Sequence, residues 1–143
     1  MAHPLFEKHC STLDGAIAAI RNRGYWSPYS EMPSPKVYGE TALQDGKQAF
    51  EAYLGKDFAL DQPGRTGTLA SERSPYGIEL GVRYPVSEPQ ALIDAALAAM
   101  PQWQQLGAEG RTGVCLEALD RLNKRSFEIA HAVMMTTGQG WMM

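Results

Sequence analysis

The 143-residue chain has only two cysteines, Cys10 and Cys115, far apart and with no Cys-x-x-Cys. A disulfide framework or a zinc ribbon is therefore unsupported, and unpaired thiols fit a cytoplasmic protein. No run approaches the ~18 apolar residues of a membrane-spanning helix. The opening Met1-Ala2-His3-Pro4-Leu5-Phe6-Glu7-Lys8 has no basic stretch followed by an apolar one, so a secretory signal is not expected. Positive charge is not in excess, since the formal net charge is −3. That speaks against nucleic acid or an anionic membrane as a partner, because either would need a basic face. A nucleotide held by backbone N–H groups is not excluded by it. The three histidines, His3, His9 and His131, show no metal-ligand spacing, so no metal site is expected.

What is present suffices for a packed core: 44% of residues are hydrophobic, enough for one domain or part of a larger one. Pro4 to Asn22 reads as an amphipathic helix with Phe6, Cys10, Leu13, Ile17 and Ile20 on one face. Pro4 suits its first turn and Gly24 its end. Cys10 lies in that stripe and reads as a small buried hydrophobe. Tyr25 to Gly39, with Pro28, Pro33 and Pro35 among aromatics, reads as a wrapped surface loop. A small binding surface built on Tyr25, Trp26 and Tyr29 is the sharper alternative. Glu40 to Leu54 reads as a second helix closed by Gly55.

Asp57 to Gly77 is turn-rich. Gly64-Arg65-Thr66-Gly67-Thr68 faintly suggests a phosphate cradle, but it has no P-loop lysine and no helix start after it, so it reads as a plain turn. Glu72-Arg73 reads as a local ion pair. Ile78 to Tyr84 alternates apolar and polar residues, which predicts a strand with one buried face, ended by Pro85. The segment around Thr68 to Glu72 is its expected partner in a small hairpin.

Three helices follow. Ser87-Glu88-Pro89-Gln90 reads as a capping box opening a helix to about Trp103, with Leu92, Ile93, Ala96, Leu97 and Met100 as its buried stripe. Pro101 is expected to kink or end it, with Trp103 just beyond. The next helix, Ala108 to Asn123, carries Val114, Cys115, Ala118, Leu119 and Leu122 on one face and an i,i+4 pair Glu117–Arg121. Gly110 and Gly113 weaken its first turns. Cys115 has no acid–base partner in the pattern, so catalysis by it is not expected. The third helix runs from a capping Ser126 to a stop at Gly138, with His131 packed or at the surface rather than a ligand.

The order of these pieces resembles the N-terminal part of the aldehyde dehydrogenase superfamily. The likeness is carried by Ala95-Ala96-Leu97-Ala98-Ala99-Met100-Pro101-Gln102-Trp103 and by Met134-Met135-Thr136-Thr137-Gly138-Gln139. His3-Pro4-Leu5-Phe6, Arg23-Gly24-Tyr25-Trp26-Ser27-Pro28-Tyr29, Ala49-Phe50-Glu51-Ala52-Tyr53-Leu54-Gly55 and Glu72-Arg73-Ser74-Pro75-Tyr76-Gly77 look like its PaaN-type branch of phenylacetic acid degradation proteins.

The resemblance implies a mainly α chain with a short strand or hairpin, forming the N-terminal part of the α/β aldehyde dehydrogenase fold. Residues 1–77 are then a helical and proline-rich extension, and 78–143 the truncated start of the dehydrogenase-like domain. It implies NAD(P)-dependent oxidation of a ring-opened aldehyde by the full-length protein. The family's nucleotide fingerprint, nucleophilic cysteine and base glutamate lie further along, so no catalytic, cofactor-binding or metal residue is expected here. The chain alone should bind no cofactor. Its expected partners are itself or the rest of the enzyme. A stand-alone, non-catalytic interaction or oligomerisation module is the alternative.

Overall fold

A computed structural model describes residues 3–141. Its elements are α1 (Pro4–Asn22), α2 (Pro35–Tyr38), α3 (Ala42–Glu51), β1 (Arg65–Leu69), β2 (Tyr84–Ser87), α4 (Pro89–Gln105), α5 (Gly107–Lys124) and α6 (Ser126–Thr137). The expected class, mostly helical with a two-stranded antiparallel sheet, is what forms. The chain folds into two compact units interleaved in sequence. One holds the chain up to Glu40 with Pro101–Lys124, the other Thr41–Met100 with the chain from Arg125 on.

The first unit is built on the pairing of α1 with α5. His3 caps α1, its Nδ1 accepting from the Leu5 N–H at 3.3 Å, and Pro4 takes the first position, where a missing N–H costs nothing. The helix ends through Arg23 in the left-handed region (φ 50°), and the Gly24 N–H closes back on the Ala19 carbonyl at 2.9 Å. Gly113 of α5 lies against the α1 backbone, so that a Cβ there would sit 2.7 Å from the Leu5 carbonyl carbon and closer still to the Phe6 nitrogen. The glycines that weaken α5 as an isolated helix are what let the two helices meet. Gly15 on α1 serves Trp26 in the same way: its missing Cβ would sit 2.7 Å from the indole ring. The aromatic loop is therefore anchored on its own unit through Trp26. Its remaining turn is held by α2, which Ser34 caps, and by Tyr38, whose Oη donates to the Ser30 carbonyl at 2.6 Å.

The glycine contact also sets which side of α1 is inside. His9 is buried, 7% exposed, whereas Cys10 is exposed and donates its S–H to the Glu7 carbonyl within the helix. The expected burial of Cys10 is thus corrected by about one residue's rotation of the helix. The α5 stripe is corrected more strongly. Cys115, Ala118, Leu119 and Leu122 face solvent, and the buried residues are Gly110 and Gly113.

The second unit pairs α3 with α6 and adds the hairpin. Gly46 repeats the glycine device, since a Cβ on it would sit 2.5 Å from the Phe127 Cβ. The core is Phe50, Leu80 and Val82, with Tyr53, Leu54, Phe58, Ala132 and Met135 packed around it. The expected strand Ile78–Tyr84 is only partly one. Leu80 and Val82 are buried as the alternation requires, but Gly81 between them takes φ +63°, which no ladder tolerates. The segment instead bonds to Gly55–Phe58 in pieces: Gly55 N–H to the Leu80 carbonyl at 3.0 Å, Arg83 N–H to Lys56 at 2.9 Å, and Phe58 N–H to Arg83 at 2.8 Å.

The regular strand begins at Tyr84 and runs through Pro85 rather than stopping at it, pairing Leu69↔Tyr84 and Thr68↔Pro85. A two-stranded ribbon leaves each strand one unpaired edge, where proline's missing donor breaks no ladder bond.

The helix starts also differ from the sequence pattern. Ser87 ends β2, and its Oγ is buried without a hydrogen-bond partner. Glu88 takes over the start of α4: its carbonyl accepts from Ala91 at 3.1 Å, and its N–H donates to the Gly64 carbonyl at 3.0 Å. Pro101 lies inside α4, and Trp103 is helical rather than beyond the end. Ser126 is the first helical residue of α6, preceded by Arg125, which makes no side-chain cap bond. Gly138 does end α6, in the left-handed region with its N–H on the Met134 carbonyl.

Candidate functional site

None of the groups that could carry chemistry is assembled for it. Among the described residues neither thiol hydrogen-bonds to a histidine or an acid, and no group of three His, Cys, Asp or Glu side chains could hold a metal ion. His131 is buried on α6 with its ring 4.7 Å from that of Trp141, and its Nε2 has no hydrogen-bond partner. It is a packed histidine, as the absence of ligand spacing suggests. The Gly64–Thr68 segment is a turn into a strand: Gly64 has φ +67° and lies against Ala91, and Arg65 is the first residue of β1. A dinucleotide cradle needs successive N–H groups at a helix N-terminus. This turn runs into a ribbon, so the residues described do not fit that group.

Two charged constellations are built across the helix pairs, and sequence reasoning found only fragments of them. In the first unit Glu117 of α5 accepts from Lys8 at 2.6 Å and Arg121 at 2.9 Å, and its Oε2 lies 2.8 Å from His9 Nε2. The Lys8 contact, then those of His9 and Arg121, hold the Glu117 carboxyl far below its ordinary range. The expected pair Glu117–Arg121 is present, but its α1 partners lie more than a hundred residues away in sequence. The available signal is that Glu117 stands four residues after Gly113, on the face that the glycines open.

In the second unit Arg125 and Glu128 pair at the start of α6, and Tyr53 donates its Oη to Glu128 Oε1 at 2.9 Å. Arg125 lowers the Glu128 carboxyl, and the bond to Glu128 raises the Tyr53 phenol. Both clusters tie helices together and present no open position for a reacting group.

One concave region remains. The hairpin splays between Leu69 and Arg73 and leaves an open cleft of about 740 Å³. Its charges are of both signs and partly engaged. Arg83 is held by Asp57 and by the Gly55 carbonyl, and Glu72 accepts from Tyr84 Oη at 3.1 Å rather than pairing with Arg73 as the sequence suggested. This mixture selects neither anions nor cations.

Comparison with known proteins supplies what the side chains do not. No protein-family model matches the chain, and no curated protein matches it. Among solved structures, a crystal structure of NAD-dependent aldehyde dehydrogenase from Burkholderia multivorans aligns over 100% of this chain, with 58% sequence identity and a TM-score of 0.93. The chain has the fold of one part of an aldehyde dehydrogenase. It spans 26% of the length of that structure. The aldehyde dehydrogenase resemblance carried by Pro101-Gln102-Trp103 and Thr137-Gly138-Gln139 is thereby supported, and the printed name of the neighbour says nothing of phenylacetate. Among the described residues of this aldehyde dehydrogenase-like chain, no helix is long and apolar enough to cross a membrane.

Proposed function

We propose that the chain is the N-terminal part of a longer NAD-dependent aldehyde dehydrogenase of the PaaN type, acting on a ring-opened aldehyde of phenylacetate breakdown in the cytoplasm. Its own role is to form a helical layer of that enzyme rather than to do the chemistry. One observation carries this reading: 58% identity along the whole chain, against about a quarter of the length of an aldehyde dehydrogenase. Aldehyde oxidation needs a thiolate to add to the carbonyl, donors for the oxyanion, a dinucleotide to take the hydride and a base to release the acid. The geometry of Cys10, Cys115 and the Gly64 turn supports the view that this chain supplies none of these.

Two assays test the reading. The purified 143-residue chain, given NAD and a panel of aldehydes, should form no NADH; turnover above a blank overturns the proposed inertness. A chimera in which this chain replaces the matching segment of the Burkholderia multivorans enzyme should fold and oxidise aldehydes with NAD. An inactive or unfolded chimera counts against membership in such an enzyme. A second reading, a free-standing module that binds itself or another protein, is favoured by the apolar side chains turned outward on α4 and α5. A compact monomer by light scattering over a wide concentration range, with no partner bound, would argue against it.

A further inference from the structure

The helix α4 is packed inside out. Its two less-exposed residues are Ala91 and Ala95; every other residue of the helix is exposed. Ala91 is the residue facing Gly64 at the start of the hairpin. At 3.6 residues per turn, Leu92, Ala96, Met100, Ile93 and Leu97 fall within an arc of roughly 140° on the other side. Ile93 is 51% exposed and Leu97 58%. That arc carries no charge; the one charge of the helix, Asp94, lies beyond its edge and accepts from Gln90 at 2.8 Å. A helix evolved to lie on its own unit with its other side in water would put alanines outside and leucines inside. The reverse arrangement means that the large side chains serve a second, apolar neighbour.

We propose that this face of α4, over Leu92, Ile93, Leu97 and Met100, is the seat of an uncharged apolar surface from the remainder of the same longer polypeptide. The proposal rests on the reading of the chain as one part of a longer aldehyde dehydrogenase. The neighbour of which this chain spans 26% supplies the length of chain from which the cover comes. The alanines at 96 and 99 leave room for the covering element to approach closely between Leu92, Ile93 and Leu97.

The test compares one substitution in two contexts. In the isolated 143-residue chain, Leu97→Glu should leave the helical circular dichroism and the urea midpoint unchanged, because the side chain is already in water. In the chimera with the Burkholderia multivorans enzyme, Leu97→Glu should lower the thermal midpoint by several degrees or abolish soluble expression, while Leu97→Met keeps both fold and activity. Unfolding of the isolated chain by Leu97→Glu would overturn the proposal, since the face would then be packed within this chain. An active chimera that tolerates Leu97→Glu at an unchanged midpoint would overturn it too, since the face would stay open. Loss of activity in the unsubstituted chimera is a separate result and strikes the functional reading instead.

Discussion

Gly113 and Gly46 are single residues on which whole helix contacts depend. In an exposed helix interior, glycine to alanine gains about 1 kcal/mol from propensity. At Gly113 the added methyl would meet the α1 backbone at Leu5 and Phe6, which cannot rotate away. Gly113→Ala is therefore expected to lose stability, by about 1–3 kcal/mol as an overpacked contact. Gly110→Ala, whose nearest contact is the Leu106 side chain at 3.0 Å, should cost less. Urea denaturation of the two variants decides the order, and a gain at Gly113 would show that the helices can part without cost. Glu117 makes a pH prediction. Its folded pKa lies below the ordinary value of 4.5, so its stabilising contribution is fully present above that pH and is lost as pH falls toward the folded value. Glu117→Gln should flatten the fall in urea midpoint below about pH 4.5 relative to the parent chain. An unchanged pH profile would mean that the contacts with Lys8, His9 and Arg121 are not kept in solution.

Two kinds of element show opposite fates for their apolar patterns. The irregular segment before β2 buries what its alternation singled out, with Leu80 at 1% exposure. Leu80→Ala is expected to cost about 2–5 kcal/mol, measured by thermal or urea unfolding of the isolated chain. Leu119→Ala on α5 lies on an equally plain apolar stripe and should change stability by no more than about 0.5 kcal/mol, because it faces water. A large loss at Leu119 would contradict the outward orientation of that face. Element positions were largely legible: α1, α5, α6 and the hairpin stand close to where periodicity, Gly138 and the turn residues put them. Their inner faces were less legible. Periodicity measures where large apolar side chains gather, whereas the contact of α1 with α5 is made by glycines and a carboxylate, which carry almost no hydrophobic signal. The capping sites shifted for a related reason: Ser87 belongs to β2 through its pairing with Arg65, a tertiary contact that overrode the local capping box.

For the whole molecule, the outward stripes of α4 and α5 govern its behaviour in isolation. Apolar patches of this kind bring association when left in water. Light scattering of the purified chain should show mass rising with concentration, and added salt should not reverse it as it would an ionic contact. A constant monomer mass would mean that the exposed stripes are too dispersed to bind. Taken alone, the sequence determined the helical class, the small ribbon, the ends of most helices and the likeness to aldehyde dehydrogenases, because caps, turns and residue order act locally. It also determined that the residues needed for aldehyde oxidation are not gathered here, since the two thiols and three histidines carry no partner spacing. Only the tertiary structure decided which way each helix faces. That choice depends on where two backbones can approach within a glycine's width, as at Gly113 and Gly46, and the largest side chains need not lie on that side.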